Sequence, residues 1–315
     1  VVFIDEAQDL TPLQWAMVEH FASTSQRLYL AGDDDQAIYR WLGADVERFI
    51  DYPAEEIVLP KSYRVKREVQ NFAQEIIQIT KNRIKKDWEP QEDDGVLKYH
   101  QNIESVDLSK GNWLLLGRDK FILNRLEETC RDQGLWYEKQ ERKNIIKPIS
   151  QKMFDAIIGW NELKDGNMID KKTIKKVFFY KKVSERYEQE IDLMNDKHLY
   201  DLDTLTILFG PFSVGEWYQS LDKINVQDRA YLLRLSLNEE NIANKPRIKI
   251  STIHAAKGGE CDKVLLTTDM NIKTYQSYQK DSDDEQRVFY VGATRAKEEL
   301  HVLLPQTTMH FKLAL

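Results

Sequence analysis

Val1-Val2-Phe3-Ile4 is followed at once by Asp5-Glu6, and an apolar run that breaks directly into two adjacent carboxylates has few places to go in a fold. A central parallel strand, buried on both faces, reads as a continuous apolar run, and its carboxyl end opens on the crevice where α/β sheets bind ligands. In that setting Asp5 is expected to hold Mg²⁺, directly or through water, and Glu6 to orient the attacking water in phosphoryl transfer. These nine residues alone read equally well as a core strand ending in a solvated acidic turn. A second apolar run, Leu28-Tyr29-Leu30-Ala31, ends in Gly32-Asp33-Asp34-Asp35-Gln36-Ala37-Ile38-Tyr39-Arg40-Trp41-Leu42-Gly43-Ala44.

With that second segment the chain resembles the UvrD/Rep/PcrA-type superfamily 1 DNA helicases, whose second and third motifs look like DExQD and GDxDQxIYxWxGA. Leu59-Pro60-Lys61-Ser62-Tyr63-Arg64 resembles the fourth motif. The run from Ile250 through His254 and Lys257 to Asp262 resembles the fifth, and Arg287 to Ala296 the sixth. Each motif is weak by itself; five in family order across nearly the whole chain are specific. Two departures stand out. Leu42 occupies the place where the family commonly carries arginine, and Gly259 and Cys261 flank Glu260 where it usually has leucine and phenylalanine.

A phosphate-gripping P-loop needs Gly-Lys-Ser/Thr, so that backbone amides, an ammonium and a hydroxyl hold the phosphates and Mg²⁺. None of the 13 glycines is followed by lysine. In the family that loop lies upstream of DExQD, so the chain is expected to be the carboxyl-terminal portion of a larger helicase and inactive alone. Composition suits a cytoplasmic protein: 42% hydrophobic residues fill packed cores, and no apolar stretch approaches the roughly 20 residues that span a bilayer. Two cysteines exclude a disulfide scaffold, and both read as small buried hydrophobes. A formal charge of −7 argues against electrostatic coating of nucleic acid, though a narrow groove that stacks bases needs no basic surface.

The resemblance implies an α/β, RecA-like P-loop NTPase architecture with two parallel-sheet motor lobes, the first incomplete, and a small helical insertion in the second. Residues 1–88 are the expected remnant of the first lobe, with a helix over Val69–Ile79. The breaker-rich run Glu89 to Gly95 reads as a linker. Residues 95–140 begin the second lobe with a buried strand at Trp113–Leu116 and a helix from Phe121 to Gln133, closed by Gly134. Residues 141–246 form the insertion, where Val183, Tyr187, Ile191 and Met194 keep helical spacing. Its lysine pairs at 171–172, 175–176 and 181–182 are either a solvated helix face or contacts to duplex phosphates. Residues 247–315 complete the lobe with strands near Ile248–Ile250, Val264–Leu266 and His301–Leu304 and a helix carrying Arg295.

Catalysis of ATP hydrolysis rests on positioning and on cations set against phosphate oxygens, for which arginine supplies a planar fork. By resemblance Arg64 reaches the γ-phosphate from the first lobe and Arg295 from the second as an arginine finger, while Gln36 senses the γ-phosphate and the attacking water. Tyr63 stacks on adenine and Glu260 lies near the ribose and metal. Tyr39 and Trp41 stack on single-strand bases or serve as core. Thr252 and His254 contact the strand or relay between sites. These expectations describe a 3′-to-5′ DNA helicase using ATP and Mg²⁺, with single-stranded DNA and duplex junctions as partners. The competing readings are a non-catalytic DNA-binding or interaction module and the motor of a helicase–nuclease.

Overall fold

A computed structural model describes residues 1–141, 144–182, 185–211 and 214–313. The chain divides into two compact units, one of Val1–Cys130, Trp136–Ile146 and Lys245–Leu315, the other of Arg131–Leu135 and Lys147–Asn244.

The first unit opens with β1 (Val2–Ile4), α1 (Pro12–Ser23), β2 (Leu28–Leu30), α2 (Val46–Ile50) and α3 (Arg67–Ile77). It continues through β3 (Val96–His100), β4 (Trp113–Gly117), α4 (Lys120–Asp132), β5 (Tyr137–Glu141) and β6 (Asn144–Ile146). Seven strands form its main sheet in the order β3-β11-β10-β4-β9-β5-β6, where β9 is Ile248–Thr252, β10 Cys261–Thr267 and β11 Ala296–Leu303. All neighbours are parallel except β5 and β6. β4 lies between β10 and β9, with Leu114 beside Val264 on one side and Lys249 on the other, and every residue of it is buried. Such burial is what its unbroken Trp-Leu-Leu-Leu run requires.

Helices α11 (Ile272–Lys280) and α12 (Asp283–Ala293) precede β11. On α3, Val69, Phe72, Ala73, Ile76 and Ile77 keep one face, and that face joins Val288, Phe289 and Val291 of α12 in the main core. Gly134 sits at φ +64, the left-handed conformation that closes a helix, and its N–H bonds the Arg131 carbonyl at 3.2 Å.

Four expectations need correction. β1 pairs in parallel with β2 alone, and Phe3 is 74% exposed and stacked on Tyr29 at 4.8 Å. The run is therefore an open strand: Ile4, Leu28 and Leu30 pack against Trp15 and Val18 of α1 with Phe49 and Tyr52, while Phe3 and Tyr29 face outward. The 89–95 run is pinned: the Ser62 N–H donates to the Glu89 carbonyl at 2.8 Å, and the Gln91 N–H to that of Val65 at 2.9 Å. Arg295 lies two residues beyond the end of α12, in the turn before β11. Cys130 is buried, but Cys261 is half-buried, and its thiol faces the Asn112 carbonyl at 3.3 Å.

The second unit contains α5 (Gln151–Lys164), α6 (Lys171–Tyr180), α7 (Glu185–Leu193), α8 (Leu202–Phe209), α9 (Trp217–Ser220) and α10 (Val226–Leu237). It is not all-helical, because β7 (Ile169–Asp170) and β8 (Leu199–Tyr200) pair antiparallel. Ile191 is buried within α7, whereas Val183 lies outside the described residues. Its lysines meet acids and carbonyls: Lys171 pairs with Asp196 at 2.8 Å, Lys175 with Asp192 at 2.6 Å, Lys176 with Asp155, and Lys181 donates to the Ser220 carbonyl at 3.2 Å. Among the described residues no helix is long and apolar enough to cross a membrane.

Candidate nucleotide and nucleic-acid site

The carboxyl ends of β1 and β2 meet through one amide side chain. Gln8 donates to Glu6 Oε2 at 2.6 Å and accepts the Asp33 N–H at 3.0 Å. Gly32 permits this approach, because a Cβ there would lie 2.5 Å from Gln8 Oε1. Glu6 itself takes the left-handed backbone conformation at φ 53, unusual for a residue with a side chain, and both its carboxylate and that of Asp5 stand exposed. Asp5 accepts the Glu6 N–H at 2.9 Å with one oxygen, and the other has no partner among the described residues.

Gln36 is the hub. Its amide donates to Asp33 Oδ2 at 2.7 Å, and its Oε1 accepts from Arg295 Nη2 at 3.3 Å. Arg295 is 1% exposed and is held by the carbonyls of Val291 at 2.9 Å and Gly259 at 3.1 Å. Among the described residues it pairs with no carboxylate. Burial, and then the positive charge of Arg64, lower its pKa to about 10. Arg64 has only a distant acid, Glu260 at 3.9 Å, and its Nε is buried without a partner among the described residues. Two guanidiniums held close together with so little counter-charge make a receptor for an anion.

Tyr63 is 81% exposed beside Arg64, with Lys61 Nζ 5.8 Å from its ring centroid. Glu260 is also exposed, 4.0 Å from Lys297. Neither is packed as a core residue would be.

On the other side of Gln36 the chain enters a cleft of about 440 Å³, with Ile38, Trp41, Arg118, Lys120, Thr252 and His254 among its walls. Trp41 is 69% exposed, its ring edge-on to His254 at 6.2 Å. Tyr39 points inward, donating to the His254 carbonyl at 3.0 Å. Thr252 uses its hydroxyl to accept the Ala255 N–H at 3.2 Å. Leu42 is exposed.

Burial, and then the positive charge of Arg118, lower the His254 pKa to about 4, whereas a histidine in the unfolded chain titrates near 6.5. The unfolded state then binds the extra proton first as pH falls, so this group's contribution to stability is complete above 6.5 and is lost toward pH 4. Urea unfolding of wild type and His254→Gln across that window is expected to show the wild type losing more stability on acidification. Parallel losses in the two proteins would contradict the burial assigned to the ring.

Several residues here carry no role in the motif reading. Lys257 bridges the halves of the site: it pairs with Asp9 and with Glu6 at 3.4 Å, donates to the Gln36 carbonyl at 2.8 Å and lies 5.2 Å from the Tyr39 ring centroid. Its position in the run between His254 and Glu260 was the available signal. Arg118 forks onto Glu285 at 2.6 and 2.7 Å, and Arg40 pairs with Asp284 at 2.7 Å and Glu47 at 2.9 Å. Arg83 and Lys86, which close on Asp33, Asp34 and Asp35, lie outside any quoted motif.

Two family models match the sequence, the UvrD/REP helicase N-terminal domain over residues 1–55 and the UvrD-like helicase C-terminal domain over residues 171–307. Among curated proteins, the ATP-dependent DNA helicase PcrA of Bacillus subtilis is 24% identical over a 403-residue alignment that covers 96% of this chain and 54% of that protein. PcrA of Staphylococcus aureus is 25% identical over 200 residues, 61% of this chain and 26% of its own length. The chain thus spans about half the length of the Bacillus relative. An alignment longer than the 315 residues here means that this relative carries internal segments the chain does not.

Proposed function

The chain belongs to the UvrD-like helicase family, and from that premise we propose that it forms part of the motor of an ATP-dependent DNA helicase that moves 3′ to 5′ on single strands. The observation that carries the reading is Arg295, bonded to Gln36 and paired with no carboxylate among the described residues, with the under-neutralised Arg64 near enough to lower its pKa. A terminal phosphate is the anion that two guanidinium forks suit, with Arg295 as the arginine finger and Gln36 reading the γ-phosphate. Glu6, exposed and fixed by Gln8, orients water toward that phosphate, and exposed Tyr63 offers a face to adenine, with Glu260 beside the ribose and metal. The second oxygen of Asp5 fits Mg²⁺, which when bound neutralises charge developing on the phosphate oxygens. The Gly-Lys-Ser/Thr loop has to come from outside these 315 residues. Both motor sheets are RecA-like in this reading, which the mostly parallel strand order supports.

Single-stranded DNA occupies the cleft that begins at Trp41, where base stacking is tolerant of sequence. Thr252 and His254 line that cleft, and Tyr39, bonded to the His254 carbonyl, couples it to Lys257 and Gln36, so one short segment touches both ligands. Trp41→Ala is expected to weaken the affinity for a fluorescent oligonucleotide by about 1 to 3 kcal/mol with an unchanged melting temperature, because the ring is largely exposed. An unchanged affinity in a folded variant would remove DNA from this cleft.

A further inference from the structure

After α3 the chain turns back to the end of β2 and sets two cations against three consecutive carboxylates. Arg83 forks onto Asp35 at 2.8 and 2.6 Å. Lys86 Nζ lies 2.9 Å from Asp33 Oδ1 and 3.2 Å from Asp35 Oδ2, and it also bonds Asp34. The ammonium thus donates to Asp34 and lies within ion-pair distance of Asp33 and Asp35. Asp33 Oδ1 is occupied by Lys86 and by the Asp35 N–H at 3.2 Å, which leaves Oδ2 for the Gln36 amide at 2.7 Å. An ionised carboxylate only accepts, so the NH₂ end of Gln36 is committed to Asp33 and its oxygen faces Arg295.

We propose that Lys86 is a positioning residue of the nucleotide site, holding Asp33 ionised and in place so that Asp33 fixes which end of the Gln36 amide meets the γ-phosphate. The inference rests on the ATP reading above and deepens it. Burial opposes the Lys86 ammonium, but Asp33, Asp35 and Asp34 outweigh it and raise its pKa. Burial likewise opposes Asp33, and Lys86 and Gln36 outweigh it and keep that carboxyl below its usual range. Without Lys86, one cation would face three carboxylates. Asp33 would then lose the ammonium 2.9 Å from its Oδ1, and with it the hold that keeps Oδ2 against the Gln36 amide.

The test measures single-strand-stimulated ATP hydrolysis in the complete polypeptide that carries this sequence, for wild type, Lys86→Met, Gln36→Ala and the double variant. Lys86→Met is expected to lower kcat by about 10- to 100-fold, the scale of a displaced catalytic contact, with KM for ATP and oligonucleotide affinity within about twofold of wild type. The double variant should be no worse than Gln36→Ala alone, because Lys86 acts through Gln36. A merely structural lysine would instead give multiplicative losses. Should Lys86→Met not fold, Asp33→Asn breaks the same relay while removing a half-buried negative charge, and it should show the same non-additivity with Gln36→Ala. An unchanged kcat in a folded variant, or multiplicative losses, would overturn the proposal alone. A wild-type polypeptide without ATPase activity would overturn the ATP reading and this proposal with it.

Discussion

Arg295→Ala, in the complete polypeptide that carries this sequence, is expected to lower kcat for ATP hydrolysis by about 10³- to 10⁵-fold while KM for ATP changes little. The side chain emerges just after α12 and reaches Gln36 beside Arg64, and no carboxylate among the described residues competes for it. A cation placed against charge that develops in the transition state contributes to kcat more than to ground-state binding. Lysine should rescue poorly, because a point charge cannot hold the Val291 and Gly259 carbonyls while presenting a fork to phosphate. Single-turnover phosphate release on protein of unchanged melting temperature measures this. A near-normal kcat in folded Arg295→Ala would end the arginine-finger assignment.

The largest effect on stability is expected at Arg83. Its fork closes on Asp35, which is fully buried, and Asp35 sits between Asp34 and Lys86. Removing Arg83 leaves the buried Asp35 to share the single Lys86 charge, 3.2 Å away, with Asp33 and Asp34, and truncating one partner of a buried ion pair costs about 3 to 5 kcal/mol. Arg83→Ala should therefore lower the urea midpoint of the 315-residue chain by that equivalent, whereas Arg67→Ala, which removes an exposed ion pair to Asp94, should cost about 1 kcal/mol or less. Equal losses in the two variants would mean that the Asp33–Asp35 cluster does not hold the chain together as described.

Much of this arrangement is legible in the sequence where local pattern and packing agree. The Trp113–Leu116 run, the one-sided apolar face of α3 and the Gly134 helix stop each declare their structure within a few residues. What was not legible depends on partners distant in sequence. The Val1–Ile4 run has the composition of a central strand, but burial is decided by the layers that cover it, and here Phe3 lies open. Cys261 reads as a small hydrophobe, yet its exposure is set by where β10 begins. The motif residues Gln36, Arg64 and Arg295 could be named one by one. Their convergence, and the service of Lys257, Lys86 and Arg83 to them, joins positions up to 259 residues apart. A lysine in a polar stretch after a helix carries no local sign that three carboxylates, two of them buried, await it.

Under the proposed function these residues form a DNA-responsive ATP site completed by a phosphate loop from outside the 315 residues. The direct measurement is phosphate release from ATP and Mg²⁺, with and without single-stranded oligonucleotide, by the 315-residue chain and by the complete polypeptide, each beside its Glu6→Gln variant. The expected result is turnover in the complete polypeptide alone, stimulated by the oligonucleotide and lost in Glu6→Gln. Oligonucleotide-stimulated turnover by the 315-residue chain, or turnover in the complete polypeptide indifferent to Glu6→Gln, would contradict it.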